Sequence, residues 1–107
     1  MSADPPLVTD QELPEAIRRL IAEVLMVPLE RVGPDSALAT ELGAESIDFL
    51  DLVFRLEEVL GRPVPFSLWQ QYVNQRFGNQ NLADAITTRV VVEFARTTAS
   101  SQPVPTR

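Results

Sequence analysis

Cysteine, histidine and lysine are all absent from this 107-residue chain, and each absence removes a class of chemistry. Without cysteine there is no disulfide framework, no thiolate metal site and no protein thiol. Without histidine no Ser-His pair can form, so a hydrolase of that design is excluded. The nine basic residues are all arginine, outnumbered by fifteen acidic ones. An acid-rich chain lacking His, Cys and Lys has few ways to assemble general acid–base chemistry at neutral pH, which argues against an enzyme. The net charge of −6 argues against nucleic acid as a partner, because phosphate contacts need clustered cations. No run approaches the roughly 20 apolar residues of a membrane span. Met1-Ser2-Ala3-Asp4-Pro5-Pro6 lacks the positive start and apolar core of a secretory signal, so the cytoplasm is the expected compartment. No internal repeat, glycine-rich phosphate loop or metal-ligand spacing is present.

What the chain does have is a serine in an unusual setting. In Leu42-Gly43-Ala44-Glu45-Ser46-Ile47-Asp48-Phe49-Leu50 a glycine turn delivers Ser46 to the first turn of a strongly apolar helix, with acidic residues on both sides. A phosphate bonded to that hydroxyl would sit at the positive end of the helix dipole, beside free backbone N–H groups. As an ordinary N-cap, Ser46 would call for Glu or Gln three residues on, where Phe49 stands instead. A cap alone also leaves the acidic surroundings unexplained. From Asp35 to Glu58, seven acidic residues (Asp35, Glu41, Glu45, Asp48, Asp51, Glu57 and Glu58) meet Arg55 alone, so this stretch equals the whole net charge of −6. Such a patch attracts proteins with basic docking surfaces and raises encounter rates.

The stretch from Asp35-Ser36-Ala37-Leu38 through Glu41-Leu42-Gly43-Ala44-Glu45-Ser46 to Leu56-Glu57-Glu58-Val59-Leu60-Gly61 resembles the acyl carrier protein family. Softer similarity extends to Ile21-Ala22-Glu23-Val24-Leu25 and Asn81-Leu82-Ala83-Asp84-Ala85-Ile86. In that family the serine of an Asp-Ser-Leu motif carries 4′-phosphopantetheine through a phosphodiester. Here the motif reads Glu45-Ser46-Ile47, its acidic residue one methylene longer and its following residue β-branched. The resemblance implies that Ser46 bears the arm and that the arm supplies the thiol the chain lacks, holding acyl groups as thioesters for separate enzymes. Glu45 and Asp48 would then help bind a phosphopantetheinyl transferase and its metal. The rival readings are an aminoacyl or peptidyl carrier using the same arm, and an unmodified helical adaptor that only binds partners.

The size suits one modest core, and the pattern predicts an all-α fold, a small acyl-carrier-like bundle of three main helices plus one short one. Residues 1–9 form a flexible lead, 10–96 the carrier domain, and 97–107 a disordered tail rich in Ser, Thr and Pro. The first helix spans about Leu13–Met26, with Pro14 in its first turn and Arg18, Arg19 and Glu23 outermost. A long loop follows, anchored by Val32, Leu38 and Leu42 and bringing Gly43 to the same end of the bundle as the first helix's C-terminus. The second helix spans about Ser46–Leu60 and stops at Gly61-Arg62-Pro63. A short helix capped by Ser67 carries Trp69 and Tyr72, either as a lid on the core or as a specific docking surface or one wall of an acyl pocket. The last helix spans about Leu82–Arg96 on the stripe Leu82, Ile86, Val90 and Phe94. Thr87-Thr88 and Val90-Val91-Val92 suit a strand, but a lone strand has nothing to pair with.

The second helix is apolar on two sides. At about 100° per residue, Phe49, Leu52, Val53, Leu56, Val59 and Leu60 form the core stripe. Ile47, Leu50 and Phe54 lie roughly opposite, rimmed by Asp51, Glu57 and Glu58. Those six residues are the expected docking surface for acyl-loading and acyl-using enzymes, with the carrier itself a monomer.

Overall fold

The computed structural model describes residue 9 and residues 11–78 and 80–100. The lead over residues 1–8 and the tail beyond residue 100 lie outside the described residues. Among the described residues five helices follow in order: α1 (Leu13–Leu25), α2 (Ser46–Leu60), α3 (Phe66–Phe77), α4 (Leu82–Ala85) and α5 (Thr88–Ser100), with a 3-10 turn at Leu29–Arg31. The fold is an all-α bundle, as expected, with α1 packed against α2 and α5 and α2 against α3. It differs from expectation in having four long helices and one short one, since α3 runs for 12 residues.

Helix α1 begins where Thr9 and Glu12 bond reciprocally. The Thr9 N–H donates to Glu12 Oε1 and the Glu12 N–H to Thr9 Oγ1, while Pro14 still falls in the first turn. The helix ends at Met26, whose left-handed φ of 57° closes the last turn. Leu13, Ile17, Leu20 and Ile21 face the core. Arg18 is not an outer-face residue. Its guanidinium donates to the carbonyls of Val32 (2.6 Å) and Leu29 (3.0 Å), so α1 holds the long loop by its backbone. Val32, Leu38 and Leu42 anchor that loop in the core as expected, at 0%, 1% and 8% exposure.

Helix α3 starts one residue before Ser67, at Phe66, after the extended backbone of Pro65. Ser67 is therefore inside the first turn and caps nothing. Trp69 is buried and meets Phe49 in a stack and Phe94 edge-on, with centroids 6.1 and 5.2 Å apart. The lid role holds.

The predicted Leu82–Arg96 helix is two helices. The Leu38 N–H donates to the Ile86 carbonyl, and the N–H groups of Thr88 and Arg89 to the carbonyls of Ser36 and Pro34. Ala37 and Thr87 form an isolated antiparallel bridge. The long loop thus supplies the pairing partner that a lone extended segment lacks. Thr87 then caps α5, its Oγ1 accepting from the Val90 N–H at 3.3 Å, as a threonine before a helix commonly does. Ile86, Val90 and Phe94 are buried, but Leu82 is 40% exposed. Helix α5 also passes the expected boundary at 96, and Thr98 is buried.

Candidate functional site

The start of α2 is built by the loop that precedes it. Gly43 adopts φ 82°, a left-handed conformation costly for residues bearing Cβ. The flanking N–H groups tie down the turn, Gly43 to the Ala39 carbonyl and Ala44 to that of Leu38 at 2.8 Å. Glu45 is the N-cap, in extended backbone, and its N–H donates to Asp48 Oδ2 at 2.8 Å. Ser46 is therefore the first residue of the helix, one position past the cap, and Asp48 rather than Phe49 occupies the third. The acidic pair around Ser46 thus helps fix the helix start as well as charging it. Ser46 itself is exposed. Asp48 shares a narrow crevice with Ile21, Val24 and Leu25, so the C-terminal end of α1 lies beside the start of α2, as expected.

A groove of about 990 Å³ opens beside Ser46. Ser46, Ile47 and Leu50 of α2 form one wall, and Phe66, Trp69 and Val73 of α3, with Gln70 and Asn74, form the other. Gly78, Leu82 and Ile86 complete it. The aromatic helix therefore serves as both core lid and groove wall, through different surfaces. Sequence reasoning missed the contribution of Gln70, Asn74, Gly78 and Leu82, which lie on elements far along the chain from Ser46. The one local signal was the amphipathic spacing of α3. An exposed hydroxyl at a helix start, opening on a largely apolar groove within the usual size of small-molecule sites, fits a phosphate-linked flexible arm.

Along α2, Ile47 (68%), Leu50 (50%) and Phe54 (65%) are exposed, the first two at the groove wall and Phe54 beyond it, while Leu52, Val53 and Leu56 are buried. The two faces lie where the helical spacing puts them, and α3 does not cover the strip. The acidic rim is less uniform than the sequence suggests. Asp51 pairs with Arg55 at 3.2 Å, and Arg55 also reaches Glu23 at 3.9 Å. Asp35 pairs with Arg89 of α5 at 3.0 Å, a pairing that holds the Arg89 guanidinium above its ordinary pKa. Glu57 is half-buried and accepts the Val64 N–H at 3.0 Å, so it braces the α2–α3 turn. Glu58 is exposed. Among the described residues no helix is long and apolar enough to cross a membrane.

A glycine turn thus delivers Ser46 to a helix start, flanked by carboxylates, in a small helical bundle. Residues 15–74 match the family described as phosphopantetheine attachment site. The chain is 33% identical over 60 residues to the acyl carrier protein AcpXL of Mesorhizobium japonicum, covering 56% of this chain and 64% of that protein. It is 34% identical over 61 residues to AcpXL of Rhizobium meliloti, covering 57% and 64%. It is also 33% identical over 58 residues to the acyl carrier protein of Thermosynechococcus vestitus, covering 54% of this chain and 72% of that protein. The chain belongs to the phosphopantetheine-attachment family of acyl carrier proteins. It spans 64% of the length of the two AcpXL proteins it matches.

Proposed function

We propose that this chain is an acyl carrier. The Ser46 hydroxyl takes a 4′-phosphopantetheine group from coenzyme A, and the arm's thiol holds acyl groups as thioesters and presents them to separate enzymes. One observation carries the reading: Ser46 is exposed at the first position of α2 and opens directly on the groove between α2 and α3. The arm supplies the thiol chemistry; the chain's own residues place and orient it. Glu45 and Asp48 fix the helix start and present negative charge to a transferase and its metal. The N-terminal dipole of α2 stabilises the phosphodiester. Ile47, Leu50 and Phe54, with Asp51, Glu57 and Glu58 around them, form the docking surface for acyl-loading and acyl-using enzymes with basic faces. The carrier works as a monomer in the cytoplasm and catalyses nothing itself. The apolar groove floor favours acyl over aminoacyl cargo.

Intact mass spectrometry tests this reading. Incubated with coenzyme A and a phosphopantetheinyl transferase, the protein should gain one phosphopantetheinyl group, and Ser46→Ala should gain none while keeping its fold. Loading of the Ser46→Ala protein would refute the assignment, since no other serine combines the glycine turn, the acidic neighbours and the apolar helix.

A further inference from the structure

Met26 is an outlier in two respects. It closes α1 at φ 57° and ψ 45°, and is the one residue other than glycine with a positive φ among the described residues. Glycine usually holds this place at a helix end, because a Cβ crowds the left-handed conformation. Met26 is also 89% exposed, more than Ile47, Phe54 or Leu50, so its side chain adds almost nothing to the core. A strained residue that does not serve packing points to a role outside the fold. Its place is at the Ser46 end of the bundle. Arg55 reaches both Asp51 and Glu23, which sets Glu23 level with the middle of α2. Met26 lies three residues further on, about 4.5 Å along a helix axis. There Val24 and Leu25 share a crevice with Ala44 and Asp48. Met26 therefore stands on the α1 side of the start of α2, whereas the groove opens on the α3 side.

An exposed apolar side chain in the neighbourhood of Glu23, Glu45 and Asp48 suits a partner with a basic face and an apolar pocket. Methionine, unbranched and polarisable, adapts to such a pocket. Of the partners a carrier has, the transferase must approach this end most closely. It brings the pyrophosphate of coenzyme A to the Ser46 hydroxyl itself, whereas acyl enzymes meet the thiol at the far end of the arm. We propose that Met26 anchors the phosphopantetheinyl transferase, filling an apolar pocket on its basic face while Glu45 and Asp48 meet its cations. The proposal rests on the carrier reading and adds a recognition residue that lies outside α2.

The experiment measures the initial rate of mass gain with coenzyme A and a transferase that modifies the wild-type protein, over a range of carrier concentrations. Met26→Gly and Met26→Asn both suit a left-handed helix end and remove the apolar side chain. Their KM for the carrier should rise about five- to thirtyfold, the range of a well-placed anchor. Their kcat should change little, because binding rather than chemistry is lost. Met26→Leu should keep a KM near that of the wild type. Met26→Gly should also raise the folded-to-unfolded ratio about two- to tenfold in urea unfolding, since relief of strain outweighs glycine's extra chain entropy. A wild-type KM in the Gly and Asn variants would overturn the proposal and leave the carrier reading intact. An equal rise in KM for Met26→Leu would do the same. A lower urea midpoint for Met26→Gly would also overturn the proposal, by showing that Met26 serves the fold. Failure of the wild-type protein to gain mass with any transferase would overturn both readings.

Discussion

Truncating Leu56 and Leu50, six residues apart on α2, should have very different consequences. Leu56 is 0% exposed and Leu50 is 50% exposed. Each change to alanine removes three carbons, which fully buried are worth about 0.8 kcal/mol apiece. For Leu56 the cavity left behind adds to that, giving about 2–5 kcal/mol. For Leu50 half the transfer term and almost no cavity remain, about 1 kcal/mol. At roughly 4–5 °C per kcal/mol for a domain near this size, Leu56→Ala should lower Tm by about 8–25 °C and Leu50→Ala by about 5 °C. Urea unfolding followed by Trp69 fluorescence is a direct assay, because it is the only tryptophan and it packs against Phe49 and Phe94. The midpoint should move at unchanged slope if both proteins unfold as the wild type does. Leu50→Ala should in addition weaken recognition by the enzymes that load or use the arm. Equal stability losses, with partner binding intact in folded Leu50→Ala, would show that the faces of α2 were assigned wrongly.

The pair Glu45→Gln and Asp48→Asn should slow phosphopantetheinylation, measured as the rate of mass gain. Stability should stay within about 0.5 kcal/mol, because the amide replacing the Asp48 carboxylate retains an oxygen for the cap bond. Gly78→Ala should cost about 1–3 kcal/mol in urea unfolding, since Gly78 sits at φ 56° and ψ −117° with nothing near its absent Cβ; an unchanged midpoint would show that the backbone there relaxes freely. Burial holds the Tyr72 phenol above its ordinary pKa of 10.0, opposed by Arg76 and reinforced by Glu93, so its neutral form is favoured in the fold. Stability should therefore be full below about pH 10 and decline as pH rises through the raised folded value, and Tyr72→Phe should flatten that decline.

Helix α2 was legible because both of its ends are written locally. Gly43 and the acidic pair mark its start, Gly61-Arg62-Pro63 marks its stop, and the two apolar stripes separate cleanly at helical spacing. The α4–α5 break was not, because its cause lies some fifty residues away. Leu82, Ile86, Val90 and Phe94 form an unbroken stripe, and only the loop carbonyls of Pro34 and Ser36 show why the chain straightens there. Thr87 looked like a weak helix former and is a cap; both follow from a short hydroxyl side chain that bonds its own backbone. Arg18 misled for a related reason, since the long charged side chain lies along the protein and satisfies the part-buried loop carbonyls of Leu29 and Val32.

The acidic field shows what chain order hides about electrostatics. Along the sequence it runs without interruption from Asp35 to Glu58, with Arg55 as its sole counterweight. Folding brings Arg89 to Asp35 from α5 and sets Arg55 beside both Asp51 and Glu23. Glu57 gives one carboxylate oxygen to a backbone N–H. Exposed ion pairs of this kind add little stability, but they cancel charge at the distances over which a partner is steered. Glu45 and Asp48 have no such arginine partner among the described residues, and they flank Ser46 directly. Folding therefore leaves these two carboxylates unpaired beside Ser46 while Asp35 and Asp51 are paired, so the field a partner meets is not the even one that chain order suggests.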